Sequence, residues 1–274
     1  MNSSASTQKI ALLPPTVSRK HALGNWLMAM LPQFAGFAAL FLVWHLTAVY
    51  IVHSLLFPGP IPVFIKAWEL MRSGVLFAAM GISLQRILIG FFLGAVLGVP
   101  LGLIIGTFPM MRKIMEPWTE FLRFIPSVAM ITIAVIWFGI GEESKVFLII
   151  YTTIFIVVLN TAAGVQAISR NKVYAAQVLG ASRMQIFFLV SLPGTVPYIL
   201  TGMRIAMANS FTTIVAAEMI SADQGLGVML WNGRMFMLVD EIFVSLVCLG
   251  LLGLIVDKLF RWGIKTFCGR FGAT

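Results

Sequence analysis

Ile87-Leu88-Ile89-Gly90-Phe91-Phe92-Leu93-Gly94-Ala95-Val96-Leu97-Gly98-Val99-Pro100-Leu101-Gly102-Leu103-Ile104-Ile105-Gly106 carries no charged side chain. As a helix it is long enough to cross a hydrocarbon core about 30 Å thick. Its five glycines, Gly90, Gly94, Gly98, Gly102 and Gly106, recur every fourth residue and leave one face bare of side chains. In lipid, where packing rather than hydrophobicity joins helices, such a face reads as a groove for close helix packing. Pro100 within it predicts a kink.

The rest of the chain has the same character. Of 274 residues, 59% are apolar and 11% charged, against about 25% charged in soluble domains. Apolar windows fall near 29–52, 80–106, 124–141, 146–167, 198–220 and 238–260, which predicts an all-α membrane protein of six spans in one bundle. The expected organisation is a polar tail over 1–28, a span domain over 29–262 and a second tail over 263–274. The formal charge of +9 suits loops on one side of a membrane better than a nucleic-acid surface.

Lys and Arg set the orientation. They gather in the tail (Lys9, Arg19, Lys20), in the loops with Arg112, Lys113 and Arg123 and with Arg170, Lys172, Arg183 and Arg204, and at the end (Lys258, Arg261, Lys265, Arg270). The alternate connections hold Lys66, Arg72, Lys145 and Arg234. Both termini are therefore expected in the cytoplasm, with the first span uncleaved, since no small-residue cleavage site follows the basic tail. On the opposite side, Phe57-Pro58-Gly59-Pro60-Ile61-Pro62 is expected to be extended, and Val63 to Met71 to form a short interfacial helix.

The loop over 168–197 is unusually long and partly apolar. Ala175, Ala176 and Leu179 share one face of a predicted short helix, Gly180 permits a sharp turn, and Met184, Phe187 and Phe188 begin a second face. Pro193 and Pro197 are expected to stop that second helix before the next span. Exposed apolar faces on a water-side segment fit a partner's groove.

This loop resembles the cytoplasmic loop of ABC importer permeases, written E-A-A, three residues, G, nine residues, I, one residue, L-P. Ala175, Ala176, Gly180, Val190, Leu192 and Pro193 fall at those positions, and Tyr174 stands in place of the glutamate. The likeness extends over Arg123-Phe124-Ile125-Pro126, Val135 to Glu142, Leu200 to Ile205, Val215 to Ile220 and Gly225-Leu226-Gly227. It points to the branch importing nitrate, bicarbonate, taurine and aliphatic sulfonates, although Ser127 stands where that branch often has a second proline. The resemblance implies a type I six-helix fold in a bacterial inner membrane. It makes Tyr174, Ala175, Ala176, Leu179, Gly180, Ala181, Ser182, Arg183, Leu192 and Pro193 a coupling elbow for a separate ATPase. It further implies a second permease copy, two ATPase subunits and an extracytoplasmic binding protein that delivers a small anion.

The motifs that would make this chain an enzyme are missing. No G-x-x-x-x-G-K-[ST] loop occurs, and Gly139 to Lys145 lacks its spacing, so ATP and Mg belong to the partner and no cofactor is expected here. His21, His45 and His53 are not spaced with carboxylates as a metal site requires. Cys248 and Cys268 do not suggest a disulfide.

Charges inside spans are costly and mark function. Glu218 follows Asn209, Ser210, Thr212 and Thr213, and these five, with Arg123, are the candidate pathway residues. An ion pair between Glu218 and Arg86 is the alternative. A gradient-driven transporter or channel is the rival class, and a small heterocycle such as a pyrimidine precursor the rival substrate. That rival class predicts intramembrane carboxylates and inverted repeats, of which one carboxylate and no repeat are seen.

Overall fold

Long helices form wherever the chain is apolar on all sides. The computed structural model describes residues 19–268 apart from His53 and Leu55, so the tail before Arg19 and residues 269–274 lie outside the described residues. Among the described residues every regular element is a helix. The chain divides into two units, one ending at Pro60 and the other beginning at Ile61.

In the first unit, α1 (Arg19–Leu46) continues into a π-helical turn, Thr47–Val52. Leu40, Phe41, Val43 and Ile51 are exposed, as a helix requires when its solvent is lipid. Trp44 Nε1 donates to the Pro58 carbonyl at 3.1 Å, which brings the segment after the helix back to its end.

At Pro60 starts α2 (Pro60–Arg72), whose residues from Ile61 onward open the second unit. Pro60 and Pro62 thus stand inside a helix and not in the extended stretch the sequence suggested. The reason is position: first-turn N–H groups have no intrahelical acceptor, so proline loses nothing there. Lys66 pairs with Glu241 at 3.3 Å and Glu69 at 3.4 Å. Partial burial opposes its charge, but the two carboxylates outweigh it and hold the ammonium above its usual pKa.

The core is built on three helices, α3 (Val75–Thr107), α6 (Glu142–Gln166) and α9 (Leu192–Ser221). The α3 glycines meet a matching row on α6. Gly90 faces Ile149, Gly94 Thr153, Gly98 Val157, Gly102 Thr161 and Gly106 Val165, and a methyl group added at any of them would sit 2.5–3.0 Å from the partner's Cβ. Both series rise together, so α3 and α6 run parallel. On its other side α6 meets α9 in antiparallel register, Gly164 against Tyr198 and Asn160 against Gly202. Ile87, Phe91, Ile149, Val157, Ala206 and Ile214 fill the space between the three helices.

Parallel neighbours oblige the chain between them to return along the length of the bundle. The return is made by α4 (Pro109–Arg123) and α5 (Ser127–Phe138), bent by 97°. The single span expected over 124–141 is therefore corrected: α5 has 12 residues, about 18 Å of helix, and the rest of the return is the polar-faced α4. Pro126 forbids a continuous helix through the corner. Tyr151 of α6 closes that corner by donating its hydroxyl to the Leu122 carbonyl at 2.6 Å. Tyr151→Phe is expected to cost about 1 kcal/mol and to speed amide exchange at 122–126. Unchanged exchange there would mean that the corner does not depend on the hydroxyl.

A second correction concerns Pro193 and Pro197, which do not stop the preceding helix. Short α8 (Arg183–Ile186) passes through a π turn, Phe187–Ser191, into α9, giving one helical run from Arg183 to Ser221. The π turn changes the hydrogen-bond register where Pro193 lacks a donor, a recognised way for a helix to absorb a misfit. Beyond α9 lie α10 (Leu226–Met235), which no sequence window indicated, and α11 (Val239–Cys268). Among the described residues five helices are long and apolar enough to cross a membrane, or six if the bent pair counts as one crossing.

Candidate functional site

The helical run from Arg183 to Ser221 links two unusual places. At its start stands the elbow. Short α7 (Arg170–Val178) ends at Leu179, and Gly180 follows with φ +80°. Gly180 N–H donates to the Gln177 carbonyl at 2.9 Å and Ala181 N–H to the Ala176 carbonyl at 3.0 Å, the paired bonds of a Schellman end. Ser182 then opens α8 with a capping box: its Oγ accepts from Gln185 N–H, and its own N–H donates to Gln185 Oε1 at 2.8 Å. Every turn donor from Gly180 to Ser182 is thus satisfied, which makes the elbow stiff.

The elbow's apolar side chains have nothing to bury against. No residue of α7 is buried, and Val178 and Leu179 are 88% and 86% exposed. Tyr174 and Met184 are exposed as well. Leu192 and Pro193 belong to the first turn of α9, so this part of the elbow motif is already the long helix.

At the far end of α9 lies a buried charge network. Arg86 Nη1 donates to Glu218 Oε1 at 2.8 Å and to the Gln224 carbonyl at 2.6 Å. Glu218 also accepts from Ser83 Oγ at 2.8 Å and from Gly227 N–H at 2.9 Å. Gly225, with φ +136°, lets the chain pass so close that a Cβ there would sit 2.4 Å from the carboxyl carbon. The N-terminus of α10 therefore sits on Glu218, where its free N–H groups favour a negative charge. On its other side Arg86 reaches Glu142 through Nε at 2.5 Å and Nη2 at 2.6 Å. Lys145 Nζ reaches the same carboxylate at 3.1 Å.

The candidate pathway residues separate onto different faces. Ser210 and Thr213 turn inward, Ser210 to Thr153 at 3.3 Å and Thr213 to Thr152 at 3.4 Å, on the side that also buries Glu218. Asn209 and Thr212 are exposed. Asn209, Arg204 and Ala208 border an open groove of about 660 Å³ between α9 and α11, floored by Gly250 and Gly253. Arg123 ends α4 with its guanidinium 4.9 Å from the Phe124 ring centre. Among the described residues no group of three or more His, Cys, Asp or Glu could hold a metal ion.

Sequence reading missed Ser83, Glu142, Lys145 and the α10 N-terminus as members of the Glu218 network. The one available signal was Glu142 and Lys145 standing three residues apart at the start of an apolar span. In the sequence both belong to a failed phosphate-loop pattern, Glu142 also ends the Val135 to Glu142 stretch that carries the family likeness, and Lys145 is a loop cation.

A family model described as "Binding-protein-dependent transport system inner membrane component" matches residues 98–266. The chain belongs to this family. It is thus a multi-pass inner-membrane permease of the ABC importer kind, and the elbow and most of the network lie inside the matched region. Among its relatives, a probable ABC transporter permease protein of Brucella melitensis is 39% identical over 76% of this chain and 85% of its own. The taurine transport system permease protein of Escherichia coli is 35% identical over 80% and 81%. The nitrate import permease protein of Leptolyngbya laminosa is 35% identical over 73% and 75%. The MetNI methionine ABC transporter, in an inward-facing conformation, shares the fold at TM-score 0.57 and 18% identity, over 68% of this permease and 95% of that chain.

Proposed function

We propose that this permease forms, with a second copy of itself, the pathway of an importer for a small oxyanion such as nitrate or a sulfonate. A separate ATPase drives it through the elbow at Gly180, and an extracytoplasmic binding protein delivers the substrate. The observation that carries this reading is the stiff, apolar, unburied elbow fused to one helical run from Arg183 to Ser221. A push on Val178 and Leu179 is carried about 50 Å along that run and arrives at the Glu218 network. Alternating access then consists of the ATPase drawing two such elbows together and releasing them after hydrolysis.

The positive-inside bias puts the elbow and both termini in the cytoplasm, with the bent α4–α5 pair completing six crossings. The resemblance and the taurine and nitrate relatives support the oxyanion class.

Gly180→Val tests the elbow. Nothing lies within 4 Å of a Cβ added there, so the first atom of the new side chain meets no clash, but a β-branched residue at φ +80° is strained. The expected result is normal insertion and thermal midpoint, with ATP-driven uptake in reconstituted vesicles falling at least about tenfold, the equivalent of 1.4 kcal/mol of coupling. Full uptake by the variant, or uptake by this chain without an ATPase, would refute the reading. Labelling of Leu179→Cys from outside the cell would refute it too.

A further inference from the structure

The buried part of the charge network is not neutral. Arg86 and Lys145 side chains are 6% and 4% exposed, and Glu218 is fully buried. Two buried cations therefore stand against one buried carboxylate, which pairs with Arg86, while Lys145 pairs with Glu142. The remaining positive charge is met by Glu142, whose side chain is 59% exposed and reaches the cations from a cavity of about 410 Å³ lined also by Gln85, Asp223 and Gln224. Glu218 is held by three protein donors, Ser83 Oγ, Arg86 Nη1 and Gly227 N–H, out of reach of solvent, as a structural counter-ion would be. Glu142 also takes three donors, but it is exposed to the cavity, in a fork that fits an oxyanion presenting a pair of oxygens.

We infer that the Arg86–Lys145 fork is an oxyanion-binding site which Glu142 keeps filled, and that an incoming monoanion displaces the Glu142 carboxylate. The fit is geometric. Arg86 Nε and Nη2 present parallel donors to two oxygens of one group, the bidentate arrangement guanidinium makes with carboxylate-like anions, and Lys145 adds a third donor. Nitrate and the sulfonate head offer the same oxygen pair at the same charge. Asp223 on the cavity wall disfavours a doubly charged anion such as sulfate. Displacement leaves the network's charge unchanged, because one monoanion replaces another. The freed Glu142 stays in water, where its charge costs little. The ligand class rests on the oxyanion reading above; the site itself rests on the fork.

Chemical rescue in the full chain, purified in detergent, tests the site. Glu142→Ala and the milder Glu142→Gln both leave the fork with one uncompensated charge, so both are expected to melt below the wild type. Sodium nitrate and sodium methanesulfonate are expected to raise the variants' midpoints by roughly 3 °C relative to sodium chloride at equal ionic strength. The wild type, where the anion must compete with Glu142, is expected to show a smaller rise, and sodium sulfate is expected to rescue neither variant beyond its effect on the wild type. If a variant yields no folded protein in chloride, the same comparison is made on yield, with nitrate present throughout purification. Recovery in nitrate supports the site. Equal behaviour of chloride and the oxyanions, or no recovery in either, makes Glu142 a purely structural counter-ion and overturns the inference. No ATPase takes part, so failure of the importer reading leaves this result standing, and failure here leaves that reading standing.

Discussion

Glu218→Ala is expected to lower stability by about 3–5 kcal/mol, the range for removing one partner of a buried ion pair. The loss comes from what stays behind. Arg86 remains buried with one carboxylate fewer, Ser83 Oγ loses its acceptor, and the N–H of Gly227 points at a void. Because the penalty belongs to the stranded charge, Arg86→Met combined with Glu218→Leu should recover more than half of it. The two changes are then strongly non-additive. Thermal midpoints of Glu218→Leu, Arg86→Met and the double variant, beside Glu218→Ala, in one detergent read this directly. If the double variant is as weak as the sum of the singles, the network does not act as a unit.

The second large effect belongs to the glycine row. Gly94→Val places a Cβ 2.6 Å from that of Thr153 and 3.2 Å from the Ile150 carbonyl. The carbonyl is backbone and cannot yield. Helices α3 and α6 must separate, at a cost of about 3 kcal/mol or more, the upper end for an overfilled core. Two comparisons isolate the cause. Gly94→Ala combined with Thr153→Gly should restore part of what Gly94→Ala alone loses. Gly81→Ala, on the same helix with open space around it, should be neutral or slightly stabilising. A Gly94→Val variant that melts with the wild type would show that the close approach of α3 and α6 does not hold the bundle.

The glycine row was legible before any coordinates because its period belongs to one helix. Five glycines four apart mark a bare face wherever that helix sits. The partner row, Ile149, Thr153, Val157, Thr161 and Val165, was not legible, because β-branched residues in an apolar span look the same whether they meet glycine or lipid. The elbow was legible through Gly180 and the small residues before it, since a left-handed residue and a capping serine act within a few neighbours. That Pro193 and Pro197 do not break the helix was hidden, because a register change through a π turn leaves no local sequence mark. Pro60 and Pro62 misled for a related reason: a proline reads as a breaker or as a helix start depending on where the first turn falls.

The charge network divides the same way. Arg86 and Glu218 stood out because any charge in a span is costly enough to need a partner, and their pairing was among the alternatives. Glu142 and Lys145 did not, since at the edge of a span a charge is cheap and signals little. Only the bringing together of α3, α6, α9 and the α10 N-terminus made three of these charges buried and left one carboxylate exposed to a cavity.

By itself the sequence determined the solvent of this chain, its helical spans and the place of the sharp elbow at Gly180. These follow from composition, period and local backbone chemistry, which act along the chain. The tertiary structure alone decided that α3 and α6 run parallel, that α4 and α5 must therefore carry the chain back through a right-angled corner, and which charges share a site. Those depend on distances between residues far apart in sequence, such as Arg86 and Glu218 at 2.8 Å. No local preference encodes such a separation.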